Sequence, residues 1–420
     1  MSAIERPVIL HLTSLISGGA GMFTLDFHNS ILAKGYKSYV AYRGKEIIYP
    51  DGNRHVINVG KRFVWNKFRR WLFRLVVRFC QIDEAYSMYN LCERFTCYSI
   101  EDMLAAMPQK PDIVFVHWVS DYANAQYLNR LKAITDAKIV FILVDHALYS
   151  GGCHYQIECK GYLDGCHNCP ATTSFPIKMA VEMNYAFKKK YLPESIIAVG
   201  TKSDRIRVSQ SELLSKFRVE WLVSPLDEKK FRPSHDRTAK RIQWNIPIDK
   251  KIVFFGATSL NERRKGIKEL LEALPKITTE NVLFIAAGKV VDLQFPPNTI
   301  KVGYLCEDDL ISMYQIADVF VCPSLADGGP MMVNQALMCG TPVVAFPVGA
   351  SLELIQTRFT GYLAKYGDSD DLAKGIDHVL SLSQKEWQQV SDNCRKIAVD
   401  TYANPNNKGT IDDFMSKIYP

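Results

Sequence analysis

Apolar residues fall along this chain in short β-branched and aromatic runs, with stretches of helical spacing between them. VILHLT at 8–13 reads as a buried strand, followed by the Gly-rich turn SGGAG and a helix-like stretch from about Met22 to Lys34. Further strand-like runs are SYVAY at 38–42, DIVFVHW at 112–118, AKIVFILVD at 137–145 and SIIAVG at 195–200. These runs are apolar throughout rather than alternating, as strands covered on both faces require, so a parallel sheet between helices is expected.

The second half restarts the pattern. KIVFFGA (251–257), NVLFIAAG (281–288), IKVGYL (300–305), DVFVCPS (318–324) and PVVAFPVG (342–349) are strand candidates, with helical spacing at 266–275, 307–316 and 330–339. Between the halves, SPLDEKKFRPSHDRTAKRIQWNIPIDKK, rich in charge and proline, reads as a hinge. Beyond about residue 380 the chain is amphipathic helix, broken at Asn404-Pro405. Two doubly wound α/β domains are expected, 1–225 and 226–395, with an interdomain cleft and with ligands at the carboxyl ends of the strands.

Composition adds little to this picture: 420 residues, 47% apolar and 23% charged, suit a globular enzyme and exclude collagen-like, coiled-coil and largely disordered chains. The longest apolar runs, IVFILV and VLFIAA, are strand-sized, so no bilayer span is expected, and MSAIERPVILHLT shows no secretory signal pattern. Charge changes the picture more. The net charge is +7, and residues 61–80 alone hold seven basic residues and no acid. As a helix, that segment places Trp65, Phe68, Leu72, Leu75, Val76 and Phe79 on one face and Lys67, Arg70, Arg74 and Arg78 on the other. A helix so built lies on an anionic bilayer; a helix packed on its domain with a solvated basic face is the plainer reading. No recognition motif for nucleic acid accompanies the charge.

Four sets of residues have the makings of a site. Gly18, Gly19 and Gly21 stand between a strand and a helix, where backbone amides can approach a phosphate; such turns also need glycine for the turn alone. Arg263, Arg264 and Lys265 lie between a strand end and a helix, placed to neutralise a diphosphate, unless they form a solvated charged loop. Asp327 follows the strand at 318–324, with Gln335 two helical turns on and Glu353 beyond the next strand. Cys153, Cys159, Cys166 and Cys169 contain one CxxC pair and suit a structural zinc, with His154 and His167 as alternative ligands. Reduced cysteines in a loop, or a pair of disulfides, remain open beside that reading. No ligand position is left for a catalytic metal.

Taken in order, SGGAG, GGCHY with CHNCP, ERRKGIKELLEAL, YQIADVFVCPS and QALMCGTPVVAFPVG resemble the retaining, nucleotide-sugar-dependent glycosyltransferases of family 4. Within them the sequence is most similar to the colanic acid and exopolysaccharide group. The resemblance implies the GT-B fold, with an acceptor-side Rossmann-like domain at 1–225, its Cys-rich loop at 151–170, and a nucleotide-sugar domain at 226–395. It also implies a helix within 396–420 that returns to the first domain. By the same resemblance, Lys265 and Arg264 hold the donor diphosphate, and Arg263 stands in for an arginine the family has earlier. The family's paired glutamates fall on Asp327, beside the donor sugar, and Gln335, beside the ribose. Gly303, Tyr304, Leu305, Gly328 and Gly329 complete the donor-binding set. The family's His-Asp pair reads Val144-Asp145 here, which leaves His146 and His117 to position a sugar hydroxyl; a structural role is open for both.

The implied activity is transfer from a UDP- or GDP-linked sugar to a lipid-linked saccharide, without a catalytic metal. The implied place is the inner face of the cytoplasmic membrane, in surface polysaccharide assembly. Asp327 and Gln335 in place of two glutamates leave a second reading, a nucleotide-sugar-binding protein of reduced activity, and a third, an epimerase-like enzyme of the same fold.

Overall fold

The apolar runs form two sheets in which every strand pair is parallel, as their two-sided burial demands. The computed structural model describes residues 6–43, 56–59, 64–224, 226–329, 331–404 and 407–419. The first sheet comprises β1 (Val8–Thr13), β2 (Lys37–Tyr42), β3 (Val56–Asn58), β4 (Ile113–Val116), β5 (Lys138–Ile142), β6 (Ser195–Val199) and β7 (Arg218–Trp221), in the order β3-β2-β1-β4-β5-β6-β7. The second comprises β8 (Lys251–Ser259), β9 (Val282–Lys289), β10 (Thr299–Gly303), β11 (Val319–Cys322), β12 (Val343–Ala345) and β13 (Gly361–Leu363), in the order β10-β9-β8-β11-β12-β13. Each order runs outward both ways from a central pair, β1/β4 and β8/β11. Such switch points leave a crevice at the strands' carboxyl ends, where Rossmann-like sheets bind ligands.

The chain divides into two compact units, Met1–Pro225 with Ile411–Pro420, and Leu226–Thr410. The helix Ile411–Ile418 belongs to the first: Phe414 and Met415 are buried with Ile9, Phe27 and Phe115 on one face of that sheet. Each such apolar side chain contributes about 1.5–3 kcal/mol by leaving water. The preceding helix, Gln384–Ala398, opens with a Ser383/Glu386 capping box and closes in a π turn at Val399–Ala403.

Three strands escape the sequence reading for physical reasons. β3 and β13 are only three residues long, and β7, RVEW, is an edge strand with an exposed first residue and no buried run. The first helix also begins earlier than its apolar spacing suggests, at Gly18 rather than Met22. SGGAG is therefore the opening turn of a helix. Gly21 has a packing reason within it, since a Cβ there meets the Ile16 carbonyl carbon at 2.5 Å. Part of the basic segment, 61–63, and Pro225, Pro330 and Pro405 lie outside the described residues. Among the described residues no helix is long and apolar enough to cross a membrane.

Candidate functional site

In the second unit β8 and β11 are hydrogen-bonded neighbours, with Val253 opposite Val319 and Phe255 opposite Val321. The residues that follow these two strands therefore meet at one edge of the sheet. After β8 the chain makes a single turn of 3-10 helix, Arg263–Lys265, and enters the helix Ile267–Ala273 through Gly266. Gly266 has φ +67°, and a Cβ on it would lie 1.7 Å from the Pro323 carbonyl oxygen, so only glycine lets this turn press against the segment after β11. The two segments are stitched together: the Arg264 carbonyl accepts from the amides of Leu325 and Ala326, at 2.7 and 3.3 Å.

That stitching fixes an ion cluster. Lys265 Nζ donates to Asp327 Oδ2 at 2.5 Å, and Arg264 reaches the same oxygen at 3.3 Å. The Gly329 amide donates to the other oxygen at 3.4 Å. Asp327 is buried. Burial works against its charge, but Lys265 and Arg264 beside it, with the Lys265 hydrogen bond, hold its carboxyl down to about 2. Arg264 is steadied from behind by Glu262 at 2.7 Å. Sequence reasoning passed over Glu262, whose signal was an acid directly before the basic triplet.

The other residues of the donor set divide. Arg263 is turned away, its guanidinium held by both oxygens of Glu269 at 2.8 and 2.6 Å. This bidentate pairing anchors the helix Ile267–Ala273 and leaves Arg263 apart from the Asp327 cluster. Gln335 sits on the helix Met331–Met338, half-buried, its Oε1 accepting from the Tyr314 hydroxyl at 3.1 Å. Gly328 and Gly329 lie beside Asp327 between β11 and that helix. Gly303 ends β10, at the far edge of the same sheet; Tyr304 is exposed and Leu305 packs on the core.

In the first unit Gly18, Gly19 and Gly21 form the helix start after β1. His117 ends the strand region of β4 and is buried, its Nε2 2.9 Å from His11 Nδ1. His11 Nε2 in turn lies 3.1 Å from Ser38 Oγ, which is 2.7 Å from His28 Nδ1. Burial pushes His117 down to about 3 and His11 well below the ordinary imidazole range, so this network is neutral near pH 7. His146 lies elsewhere: its Nε2 meets Arg207 at 3.4 Å and Asp204 at 3.7 Å, and its ring stacks on Tyr149. The structure does not bring His117 and His146 into one group.

The four cysteines of the expected zinc set come together. Cys153, Cys159, Cys166 and Cys169 line one small pocket with His167, all as free thiols. Among the described residues no three Cys, His, Asp or Glu side chains are arranged to hold a metal ion. Burial pushes Cys153 up to about 12 and Cys166 up to about 11 as free thiols. His154, the alternative ligand, is instead bonded to Asp145 at 2.6 Å.

The helix Val64–Val77 packs on its domain by an unexpected side. Arg70 is buried and ion-paired with Asp121, which Arg74 also reaches at 3.2 Å, while Phe73 and Val77 rest on the core. Trp65, Phe68, Trp71, Leu72 and Val76 face outward, with Phe79 just beyond the helix; Trp65 is 77% and Phe79 90% exposed, and Leu75 is half-buried. Lys67, Arg69, Arg74 and Arg78 are exposed among them. The expected basic face is thus divided, with Arg70 serving the fold.

With this geometry in view, the sequence was compared with known proteins. Residues 236–397, within the second unit, match the family model described as glycosyl transferases group 1. An uncharacterized glycosyltransferase of Methanocaldococcus jannaschii is 29% identical over 169 residues, 37% of this chain and 42% of that protein. The N,N'-diacetylbacillosaminyl-diphospho-undecaprenol alpha-1,3-N-acetylgalactosaminyltransferase of Campylobacter jejuni is 31% identical over 161 residues, 36% of this chain and 42% of that protein. The chain thus spans less than half the length of these curated relatives. Among solved structures, a sucrose-phosphate synthase of Thermosynechococcus elongatus superposes with a TM-score of 0.66 at 16% identity, covering 94% of this chain and 95% of that one. HepE of Anabaena, in complex with UDP-glucose, superposes with a TM-score of 0.64 at 14% identity, covering 94% and 96%. At these identities the likeness is one of fold, the paired Rossmann-like units of GT-B glycosyltransferases.

Proposed function

We propose that this protein is a retaining glycosyltransferase that moves a sugar from a nucleoside diphosphate donor, uridine- or guanosine-linked, to a lipid-linked saccharide in surface polysaccharide assembly. One observation carries the reading: Lys265 and Arg264 converge on a single buried oxygen of Asp327 at the switch point of the second unit. Two basic side chains held together there are placed to meet a diphosphate. The group 1 family match over 236–397 supports the same chemistry.

In the transfer, the acceptor hydroxyl oxygen bonds to the donor's anomeric carbon. The bond from that carbon to the diphosphate oxygen breaks, and its electron pair leaves with the nucleotide. Lys265 and Arg264 take up the developing charge, which is where a fixed cation lowers a barrier most. The hydroxyl proton passes to the departing phosphate oxygen. Asp327 holds the two cations in place, and Gln335, with its carbonyl as acceptor, contacts the ribose. The Campylobacter relative, named for a diphospho-undecaprenol acceptor, supports a lipid-linked acceptor here.

The outward apolar face of the helix Val64–Val77 supports a place at the inner surface of the cytoplasmic membrane. Trp65, Phe68 and Trp71 enter the interface, and Lys67, Arg69 and Arg78 meet anionic headgroups. Calorimetric titration with UDP, GDP and their hexose conjugates, followed by nucleotide release with and without acceptor, tests the transferase reading. Binding and slow release are expected for one nucleotide family, and absence of binding to every member overturns it. Tight binding without release on any acceptor favours the second reading, a sensor of nucleotide sugars. The uncharged Gln335, already engaged by Tyr314, is the observation behind that alternative.

A further inference from the structure

Residues 151–169 lie between β5 and the helix Phe175–Tyr191, and their regular structure is one 3-10 turn, Gly161–Leu163. Apart from cysteine, the larger apolar side chains of this stretch are Tyr155, Ile157, Tyr162 and Leu163, too few to make a core of their own. What its residues share is a point of convergence. Cys153, Cys159, Cys166 and Cys169 line one cavity of about 20 Å³, room for a single small occupant.

The backbone bends to bring them there. Ile157, Cys166 and Asn168 have φ of +53°, +59° and +52°, and Gly165 has +113°. Left-handed backbone is unfavourable away from glycine, most of all at the branched Ile157, and persists where the surroundings impose it. Two of the sulfurs also meet amides. The Gly161 amide donates to Cys159 Sγ, two residues before it, at 3.3 Å, and the Gly151 amide donates to Cys166 Sγ at 3.3 Å. A thiol sulfur is a weak acceptor, whereas N–H donors of this kind orient a ligand sulfur and favour its charged form.

The nearby nitrogens are used elsewhere. His154 Nδ1 lies 2.6 Å from Asp145, and its Nε2 3.1 Å from Ser120 Oγ. His167 is exposed, its Nδ1 3.5 Å from a Glu182 oxygen. No carboxylate lines the cavity. Four sulfurs without an oxygen ligand suit a tetrahedral, thiophilic ion rather than calcium or magnesium.

We propose that Cys153, Cys159, Cys166 and Cys169 bind one zinc ion as four thiolates, in a closed structural site. Among the described residues no three such side chains stand arranged to hold an ion. Binding therefore turns the thiols inward about their Cα–Cβ bonds, to zinc–sulfur distances of about 2.3 Å, and releases their protons to solvent. Four protein ligands leave no position for water or substrate, so the ion's part is mechanical. It braces contacts that the loop makes with residues 83–90. The Asp83 amide donates to the Ala171 carbonyl at 2.8 Å, the Asn90 amide to the Gly152 carbonyl at 3.1 Å, and the His154 amide to the Ser87 carbonyl at 3.2 Å. None of this rests on the glycosyltransferase reading.

Elemental analysis of the full chain purified without chelator, paired with cobalt(II) exchange, tests the site. One zinc per chain is expected, and cobalt in its place should show the sulfur-to-metal charge-transfer bands and intense visible bands of a tetrahedral thiolate centre. Cys159→Ser and Cys169→Ser should each weaken zinc binding at least about a hundredfold. His167→Ala, Cys80→Ser and Cys306→Ser should leave it unchanged. Because a ligand variant can fail to fold, the wild-type chain supplies a second readout. Stripping zinc with a chelator should lower the melting temperature of the first unit by several degrees, returning zinc should restore it, and the second unit should not move. Zinc well below one equivalent with all four thiols freely reactive, iron in place of zinc, or cobalt without thiolate bands overturns the proposal. So does a disulfide between any two of the four cysteines, or loss of the ion in His167→Ala.

Discussion

The crevices at β1/β4 and β8/β11 hold the same place in two sheets of the same topology, yet one is lined by neutral groups and the other by ion pairs. In the first unit, His11, His28 and His117 share hydrogen bonds with one another and with Ser38 in a buried neutral network. In the second, Asp327, Lys265, Arg264 and Glu262 form an ion cluster around one carboxylate. Topology therefore opens a crevice in both units without deciding its chemistry. The side chains that follow the strands differ, neutral and hydrogen-bonded after β4, ionic after β8 and β11.

The sharpest way to break this contrast is Lys265→Ala. Nucleotide release from the donor should fall at least about a hundredfold, roughly 3 kcal/mol of lost stabilisation, with the first unit unaltered. Release within a few-fold of wild type would remove Lys265 from the chemistry.

Acid separates the units next. His11 and His117 bind protons in the unfolded chain below their ordinary value of 6.5, but in the folded first unit only far lower, His117 at about 3. That unit accordingly loses stability as pH falls below 6.5, since both histidines would have to be protonated against burial. Asp327 shifts in the same direction but acts lower on the pH scale. Its folded value of about 2 lies below the ordinary 3.8, so its contribution is complete above 3.8 and is lost only as pH falls towards 2. Hydrogen exchange at pH 5 should show β1 and β4 opening before β8 and β11, and the reverse order would contradict the assignment of charge.

Removing Arg70 tests whether the outward helix face is imposed by the fold. Arg70 ties the helix Val64–Val77 to Asp121 and to the Phe95 carbonyl at 3.3 Å. Arg70→Ala should cost about 1–3 kcal/mol and make 64–80 the first site of limited proteolysis, while the second unit melts unchanged. The smallest effect concerns the lipid surface. Trp65→Ser with Phe68→Ser is expected to lower sedimentation with anionic vesicles roughly tenfold, and neutralising Lys67, Arg69 and Arg78 a few-fold. Partitioning equal to wild type in both would detach the segment from the membrane.

The sheets were legible because strands buried on both faces leave long apolar runs, and the pair Lys265 and Asp327 because each follows such a run. What escaped depends on neighbours that sequence separates. Arg263 looks like its two basic neighbours until Glu269, six residues on, is seen to hold it. Arg70 sits in a run of cations, and nothing near it in the sequence announces Asp121, fifty-one positions away. His154 stands beside a cysteine of a CxxC-containing loop, so a metal was the natural expectation. Only the approach of that loop to the ends of β4 and β5 joins it to Asp145 and Ser120.

The helix Ile411–Ile418 has a consequence for how the protein is made. Its Ile411, Phe414, Met415 and Ile418 fill one face of a core whose other members, Ile9, Phe27, Phe115 and Val140, are synthesised hundreds of residues earlier. While the ribosome extends the chain, that face of the earliest sheet stays open, and the later unit can close before it does. The part of the chain that emerges first is the last to finish folding, which makes it the part most in need of chaperones and the most exposed to any truncation after residue 410.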